Sequence, residues 1–304
     1  MNMANYGAGR YINLMFDLGF KRVFGKEANK DILITFLNEF IEDRQILDLE
    51  YLNVEKEGIS CESKKSYFDV QCKTADGSTI IVEVQNSNQK YFKERVLYYS
   101  TLPILEQLER GGMYNLYPVY VVSILNFKLE HKNGEETGIV HSYSLREDNT
   151  GERMTDILHF IYIELGWFDK TLEMLENDRE KWFFCLLHMD SFLERPSKMQ
   201  AEIFKRLFDV SEVEALPAQE RQQYIKEMGI ERDILNQREF AREEGKAQGL
   251  EEGKAQGLEE GKIMIAKTMI SRGMPFEDIV EITGLSESQV TDIENEANRG
   301  VPAK

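Results

Sequence analysis

"FDVQCKTADGSTIIVEVQN", residues 68–86, decides the fold. Apolar and polar residues alternate on either side of an Ala75-Asp76-Gly77 centre, the pattern of two strands joined by a tight turn. A three-residue loop, a type I turn followed by Gly77 in the left-handed region, sets Thr74 against Ser78. Phe68 then meets Val84, Val70 meets Val82 and Cys72 meets Ile80, which makes one face wholly apolar. A two-residue loop would oppose Val70 to Glu83 and Asp69 to Val84, mixing polarity on both faces. A one-residue slip exchanges the faces, so the cleaner pattern selects the longer loop. That register sets Asp69 directly opposite Glu83, with Gln85 one diagonal step away.

Two carboxylates facing each other across neighbouring strands repel. Either this is a solvated face relieved by Lys73, or a divalent cation removes the repulsion. Two hard carboxylates, with water and substrate phosphate filling the remaining positions, suit Mg²⁺. The residues alone leave both readings open.

Outward from the hairpin, residues 13–43 carry Phe16, Phe20, Val23 and Phe24, then Ile32, Leu33, Phe36, Leu37 and Phe40 at helical spacing, with Gly25 as a break. "LDLEYLNVE" (47–55) alternates with period two and predicts a strand. Residues 89–110 predict a helix bent at Pro103 and ended by Gly111-Gly112. "PVYVVSIL" (118–125) is β-branched and apolar throughout, a central strand buried on both faces. "GIVHSYSL" (138–145) and "DILHFIYIEL" (156–165) predict a further antiparallel pair at the edge. The order helix, three strands, helix, strand is a mixed α/β core. From about 170 the pattern turns helical, with "KWFFCLLHMDSFL" and "AEIFKRLFDV" carrying the aromatic packing.

With 304 residues and 42% hydrophobic content, the chain can bury a sizeable core. Its net charge is -17, and the excess is uneven: 17 Lys/Arg against 22 Asp/Glu in residues 1–150, and 20 against 32 in 151–304. A polyanion is therefore repelled mainly by the C-terminal half, which leaves room for a local basic groove. The longest apolar runs are too short to span a bilayer, and the N-terminus lacks the features of a signal peptide. Cys61, Cys72 and Cys185 are few and widely spaced, which argues against a disulfide framework and predicts a reducing cytoplasm. Cys185 and His188 make a lone C-x-x-H with no second ligand pair, better read as a core Cys beside a satisfied His than as zinc ligands.

An Asp late in one strand, then E-x-Q in the next, between two helices and before an apolar fourth strand, resembles the PD-(D/E)XK nuclease fold. More narrowly, the chain resembles the PD-(D/E)XK family transposases, also described as recombination-promoting nucleases (Rpn-like). The resemblance rests on the order of "FDLGFKRVFGKEANKDILITFLNEFI", "YFDVQCKTADGSTIIVEVQN", "FKERVLYYSTLPILEQLERGGMYNLYPVYVVSILNF" and the "EEGKAQG" repeat. It implies a restriction-endonuclease-like core followed by an all-helical C-terminal region, and a Mg²⁺-dependent DNA endonuclease linked to recombination or transposition. Asp69 and Glu83 would bind the ion with the backbone carbonyl of Val84. Gln85 stands where the wider fold usually has Lys, and a neutral amide can orient water but not accept its proton. Asp17 and Lys21 match the family's D-x-x-F-K and are implied to complete the site; they also read as an ordinary helix-surface pair at i, i+4. Lys90, Lys93 and Arg95, interleaved with Tyr91, Phe92, Tyr98 and Tyr99, are the DNA-contact candidates, with Arg95 foremost. For Leu97 and Tyr98 a core role is expected. The alternative function is a catalytically silent member of the fold that binds nucleic acid or protein.

The expected organisation is a nuclease-like domain at 1–168, a helical region at 169–242, a Gly-rich octapeptide-repeat helix at 243–262 and a small helical tail at 263–304. In the repeat, Gly245, Gly249, Gly253, Gly257 and Gly261 recur every fourth residue. Each costs about 1 kcal/mol against Ala in a helix. A second helix packed along this ridge would offset that cost, so the repeat is the candidate for homodimerisation, against a solvated helix grown by tandem duplication. The tail is expected to form short helices over "IMIAKTMISRGM", "PFEDIVEITG" and "SESQVTDIEN", with Pro275 in a first turn and Ser286 as N-cap. It resembles a helix-turn-helix with Gly284 at the turn. Its second helix offers Glu287, Asp292 and Glu294 with Gln289 as the one good base reader, so it reads as a packing or protein-interaction module.

Overall fold

A computed structural model describes residues 9–52, 68–108, 113–131 and 138–299. Cys61, the end of the expected 47–55 strand and the Gly111-Gly112 stop lie outside these residues. The chain divides into two compact units, Met1–Ile230 and Glu231–Lys304.

The first unit is built on a six-stranded sheet. Its strands are β1 (Leu49–Tyr51), β2 (Val70–Thr74), β3 (Thr79–Gln85), β4 (Val119–Leu125), β5 (Val140–Ser144) and β6 (Leu158–Glu164), in the order β1-β2-β3-β4-β6-β5. The β3, β4 and β6 strands run parallel, and the remaining pairings are antiparallel. All seven residues of β4 are buried, as expected of a central parallel strand covered on both faces.

The β2–β3 hairpin adopts the three-residue loop. Val70 pairs with Val82 and Cys72 with Ile80. Thr74 and Ser78 close the ladder, with the Thr74 N–H donating to the Ser78 carbonyl at 2.9 Å. Gly77 sits at φ 91°, and a Cβ there would come within 2.7 Å of the Tyr117 ring. Left-handed backbone costs a side-chain-bearing residue about 1–2 kcal/mol. Gly77→Ala is therefore expected to lower the melting temperature of this unit by roughly 3–8 °C. Fluorescence of Trp167 and Trp182, both in this unit, is the readout. An unchanged midpoint would mean that the turn is not under this constraint.

Helices cover both sheet faces. One face buries Val70, Cys72, Ile80, Val82, Tyr120, Val122 and Ile124 beneath α1 (Asp17–Phe24), α2 (Lys30–Asn38), α4 (Asp178–His188) and α5 (Glu202–Val210). Gly25 separates α1 from α2, as the sequence predicts. Trp182, fully buried, packs edge-on to Phe36 at 5.5 Å and against Phe204 at 5.0 Å, so the helices beyond residue 169 share this core. Each such aromatic pair adds about 0.5–1.5 kcal/mol beyond area burial. Cys185 is fully buried there, and its neighbour His188 packs on the Phe184 ring; no group of metal-ligating side chains forms around them among the described residues.

The opposite face buries Ile81, Val119, Val121 and Leu125 under α3 (Phe92–Glu106), whose buried stripe is Phe92, Val96, Ser100 and Pro103. Two expectations fail here. Leu97 and Tyr98 are exposed, not core, because that stripe turns them outward. Phe68 joins this face with Ile81 instead of lying beside Val70, because the chain bends at Asp69 before the ladder begins.

A single helix, α6 (Ala218–Ser271), contains the whole glycine repeat and the first of the short helices expected in the tail. Its first turns belong to the first unit. There the Tyr224 hydroxyl accepts from the Asn13 N–H at 2.7 Å and Glu220 pairs with Arg22 and Lys26. The Glu227 carboxylate accepts from the Leu18 N–H at 3.3 Å, at the N-terminus of α1 where negative charge is favoured. In the repeat every residue from 243 to 258 is exposed, and among the described residues nothing beyond the neighbouring turns of the helix itself lies within 4 Å of where Cβ atoms on the five glycines would be.

In the second unit, α7 (Phe276–Thr283) and α8 (Glu287–Arg299) pack on the end of α6 through Ala266, Met269, Ile279, Leu285, Val290 and Ile293. Pro275 is the N-cap of α7. Ser286 and Gln289 form a capping box: the Ser286 N–H donates to Gln289 Oε1 at 2.9 Å, and the Gln289 N–H donates to Ser286 Oγ at 3.3 Å. Gln289 Nε2 donates to Glu259 at 2.8 Å, so the residue with the best base-reading chemistry is engaged at both ends of its amide. Among the described residues no helix is long and apolar enough to cross a membrane.

Candidate active site

The candidate residues gather where β2 begins and β3 ends, between α1 and α3. Val84 fixes the geometry. In a parallel pair, alternate residues turn both backbone groups toward the partner strand. Gln85 turns toward β4, since its carbonyl accepts from the Asn126 N–H at 2.9 Å. Val84 therefore turns toward β2, where its N–H donates to Asp69 Oδ2 at 2.6 Å. The Asp69 side chain thus takes the place of a backbone carbonyl at the ladder's end. This corrects the expectation that Asp69 and Glu83 stand opposed as ladder partners: pairing starts at Val70–Val82, and Asp69 occupies a bend.

Around Asp69 stand Asp17 and Lys21 of α1. Lys21 Nζ lies 2.7 Å from Asp17 Oδ1 and 4.0 Å from Asp69 Oδ1, so the i, i+4 pair on the helix also reaches the strand carboxylate. Burial, then a hydrogen bond with the Asp17 carboxylate, raise the Asp69 pKa to about 7, against the lowering effects of the Val84 N–H and Lys21.

Glu83 lies on the α3 face and is buried, and burial raises its pKa despite the opposing charge of Arg95. Arg95 Nη2 donates to Glu83 Oε1 at 2.6 Å and to Gln85 Oε1 at 2.7 Å, while its Nη1 donates to Gln89 at 2.9 Å. A guanidinium can only donate, which fixes the Gln85 amide with oxygen toward Arg95 and Nε2 toward the Ser87 carbonyl at 3.2 Å. Arg95, expected from the sequence as a phosphate contact, is here the partner of Glu83. Lys93 is exposed, and Lys90 lies over the exposed Tyr91 ring at 5.1 Å. Tyr91 at φ 67° is the N-cap of α3 and the one non-glycine residue with positive φ among those described.

Glu83 Oε2 is buried and has no hydrogen-bond partner among the described residues. An orphaned anionic oxygen, on a strand whose next residue donates its N–H to the Asp69 carboxylate, fits a hard divalent cation. A concavity of about 450 Å³ lies instead at the hairpin turn, lined by Asp48, Glu50, Lys73 and Tyr117, and includes none of these residues.

The family model described as PD-(D/E)XK nuclease family transposase matches residues 14–240. The chain belongs to that family. A second family model, the C-terminal HTH domain of the Rpn/YhgA-like nuclease family, matches residues 259–295. Both agree with the resemblance in the sequence, and the sheet, α1 and α3 all fall within the first match. The helix-turn-helix likeness of the tail is likewise that of a family domain. No curated protein and no solved structure matches the chain.

Sequence reasoning missed one constellation. His131, His141 and Glu164 bring ligand atoms within 4.8 Å of one another, the one such group of three among the described residues. The two histidines share no motif spacing; β5–β6 pairing brings His141, and β4–β6 pairing the segment bearing His131, to the end of β6.

Proposed function

We propose that this chain is a Mg²⁺-dependent DNA endonuclease, hydrolysing phosphodiester bonds in recombination or transposition. The observation that carries this reading is Glu83 Oε2, a buried carboxylate oxygen without a partner one residue from the Val84 N–H that holds Asp69. Leaving such an atom unsatisfied costs about 1–3 kcal/mol or more, a cost that a bound cation removes. Asp69, Glu83 and the Val84 carbonyl would hold the ion. When bound, Mg²⁺ lowers the pKa of a coordinated water and polarises the scissile phosphate. Gln85 orients water or phosphate by hydrogen bonds and takes no proton. Asp17 keeps Lys21 beside Asp69, where the ammonium offsets carboxylate charge. Lys90, Lys93 and Arg95 meet the DNA backbone from the start of α3, with exposed Tyr91 and Tyr98 beside them.

The reading extends to homodimerisation through the exposed glycine ridge of α6 and to a cytoplasmic setting. One observation favours a catalytically silent alternative: Arg95 already neutralises Glu83. Incubation of purified protein with supercoiled plasmid, in Mg²⁺ or in EDTA, separates the two. Nicking is expected only with Mg²⁺, and Glu83→Ala should slow it by about a hundredfold or more. Activity that persists undiminished in Glu83→Ala would sink the site assignment, and no nicking by the wild-type chain would leave the silent reading.

A further inference from the structure

Glu164 closes β6 and is completely buried. Its Oε2 is fixed by two donors, the Leu129 N–H at 2.8 Å and the Trp167 indole N–H at 3.1 Å. Its Oε1 faces two imidazoles, with His131 Nε2 at 2.9 Å and His141 Nε2 at 3.6 Å. No lysine or arginine pairs with it among the described residues; Lys128, nearby in sequence, lies over the Trp167 ring at 3.7 Å. A buried carboxylate held only by neutral donors and imidazoles lacks a permanent countercharge, and such charges are found paired or on metals.

The scaffold around it is closely fitted. Gly166 brings the turn after β6 against the 127–128 backbone, where a Cβ would lie 2.7 Å from the Phe127 carbonyl carbon. His141 comes from the edge strand β5, paired with Tyr162 of β6, and His131 follows Leu129 on the segment after β4. Both rings are mostly buried, with centroids 4.5 Å apart.

We propose that His131, His141 and Glu164 form a second metal site, for a late first-row divalent cation of the zinc type, separate from the nuclease carboxylates. Two imidazoles and a carboxylate suit such an ion, whereas Mg²⁺ and Ca²⁺ take all-oxygen sets. Zinc bound at about 2.0–2.1 Å in a tetrahedron sets its ligand atoms roughly 3.3 Å apart, and the two contacts to Oε1, 2.9 and 3.6 Å, bracket that value. Glu164 Oε2, tied by Leu129 and Trp167, leaves Oε1 as the ligating oxygen, the kind of outer support that ligating groups need. His141 Nε2 also lies 3.0 Å from the Gly138 carbonyl, a contact that binding exchanges for the ion. The site would clip the edge strand and the 129–131 segment to β6, with a fourth position left to water.

The test is Zn²⁺ titration of the full chain against a chromophoric chelator, with Co²⁺ absorption as a second probe. The expected result is one equivalent bound per chain in the wild type and in Glu83→Ala. His131→Ala and His141→Ala should each weaken binding by more than about 100-fold, since even supporting residues of such sites are worth 10–100-fold. Both variants should keep the cooperative tryptophan melt, which separates ligand loss from unfolding. No stoichiometric binding by roughly 10 μM free Zn²⁺ overturns the proposal. So does binding that survives both histidine variants, or binding that is lost in Glu83→Ala.

Discussion

Asp69→Asn is expected to raise the stability of the metal-free protein while abolishing cleavage. Asn keeps an oxygen to accept from the Val84 N–H and gains a donor for the Asp17 carboxylate, so the local hydrogen bonds survive. What disappears is a buried negative charge beside a second carboxylate. Its removal should stabilise the first unit by about 1–3 kcal/mol at pH 8 in EDTA. For a unit of this size that is roughly 2–12 °C in the tryptophan melt. If Asp69 holds the ion as proposed, the same change removes an anionic ligand, and the cleavage rate should fall by about 10³-fold. A variant that melts lower than the wild type would contradict the assigned cause. A variant that still cuts at the wild-type rate would remove Asp69 from the site.

The pH dependence follows from the same group. Asp69 titrates near 3.8 when unfolded and at about 7 when folded, so the native state holds the proton more tightly. Its contribution to stability is present in full below about pH 4 and is lost as pH rises through about 7. In EDTA the wild type should lose stability across that window relative to Asp69→Asn, with the two curves converging at acid pH. Mg²⁺ takes only the ionised carboxylate, so its apparent affinity should climb over the same window and level off above it.

The hairpin register was legible because one loop length alone separates apolar from polar residues, and the observed pairs are those that separation demands. The bend at Asp69 was not, because it depends on a side chain capturing the Val84 N–H, which leaves no trace in the alternation. Phe68 crossed to the other face for the same reason. The misplacement of Leu97 and Tyr98 has a different origin. The run "VLYYS" has apolar character all round, and the choice among faces is made by where α3 meets the sheet, at Phe92, Val96 and Ser100. Gln289 looked like a base reader by residue type, yet the capping of α8 claims its amide. Local pattern fixes periodicity; it is silent on contacts between groups far apart in sequence, and those contacts build both the Arg95–Glu83 pair and the His131–His141–Glu164 cluster.

Arg95→Met should destabilise the protein in EDTA and do so much less in Mg²⁺. Glu83 is about nine-tenths buried, and Arg95 supplies both its countercharge and the donor to Gln85. Removing one partner of a buried pair typically costs 3–5 kcal/mol, because the remaining charge is left uncompensated. Arg95 itself is one-third exposed, so solvent screening brings the cost below that range, to about 2–3 kcal/mol or roughly 4–10 °C. The Arg95 guanidinium also lies over the Phe92 ring at 5.9 Å, and methionine keeps an apolar side chain there, so the loss is mainly of charge and hydrogen bonds. If Arg95 and the cation serve the same carboxylate, saturating Mg²⁺ should restore most of the lost stability, and the variant should bind Mg²⁺ more tightly than the wild type. If Arg95 is instead the permanent partner of a silent site, the deficit should persist at every Mg²⁺ concentration. The comparison of melting curves in EDTA and Mg²⁺ therefore distinguishes an arginine that yields its place to an ion, and becomes available for a DNA phosphate, from one that locks the site shut.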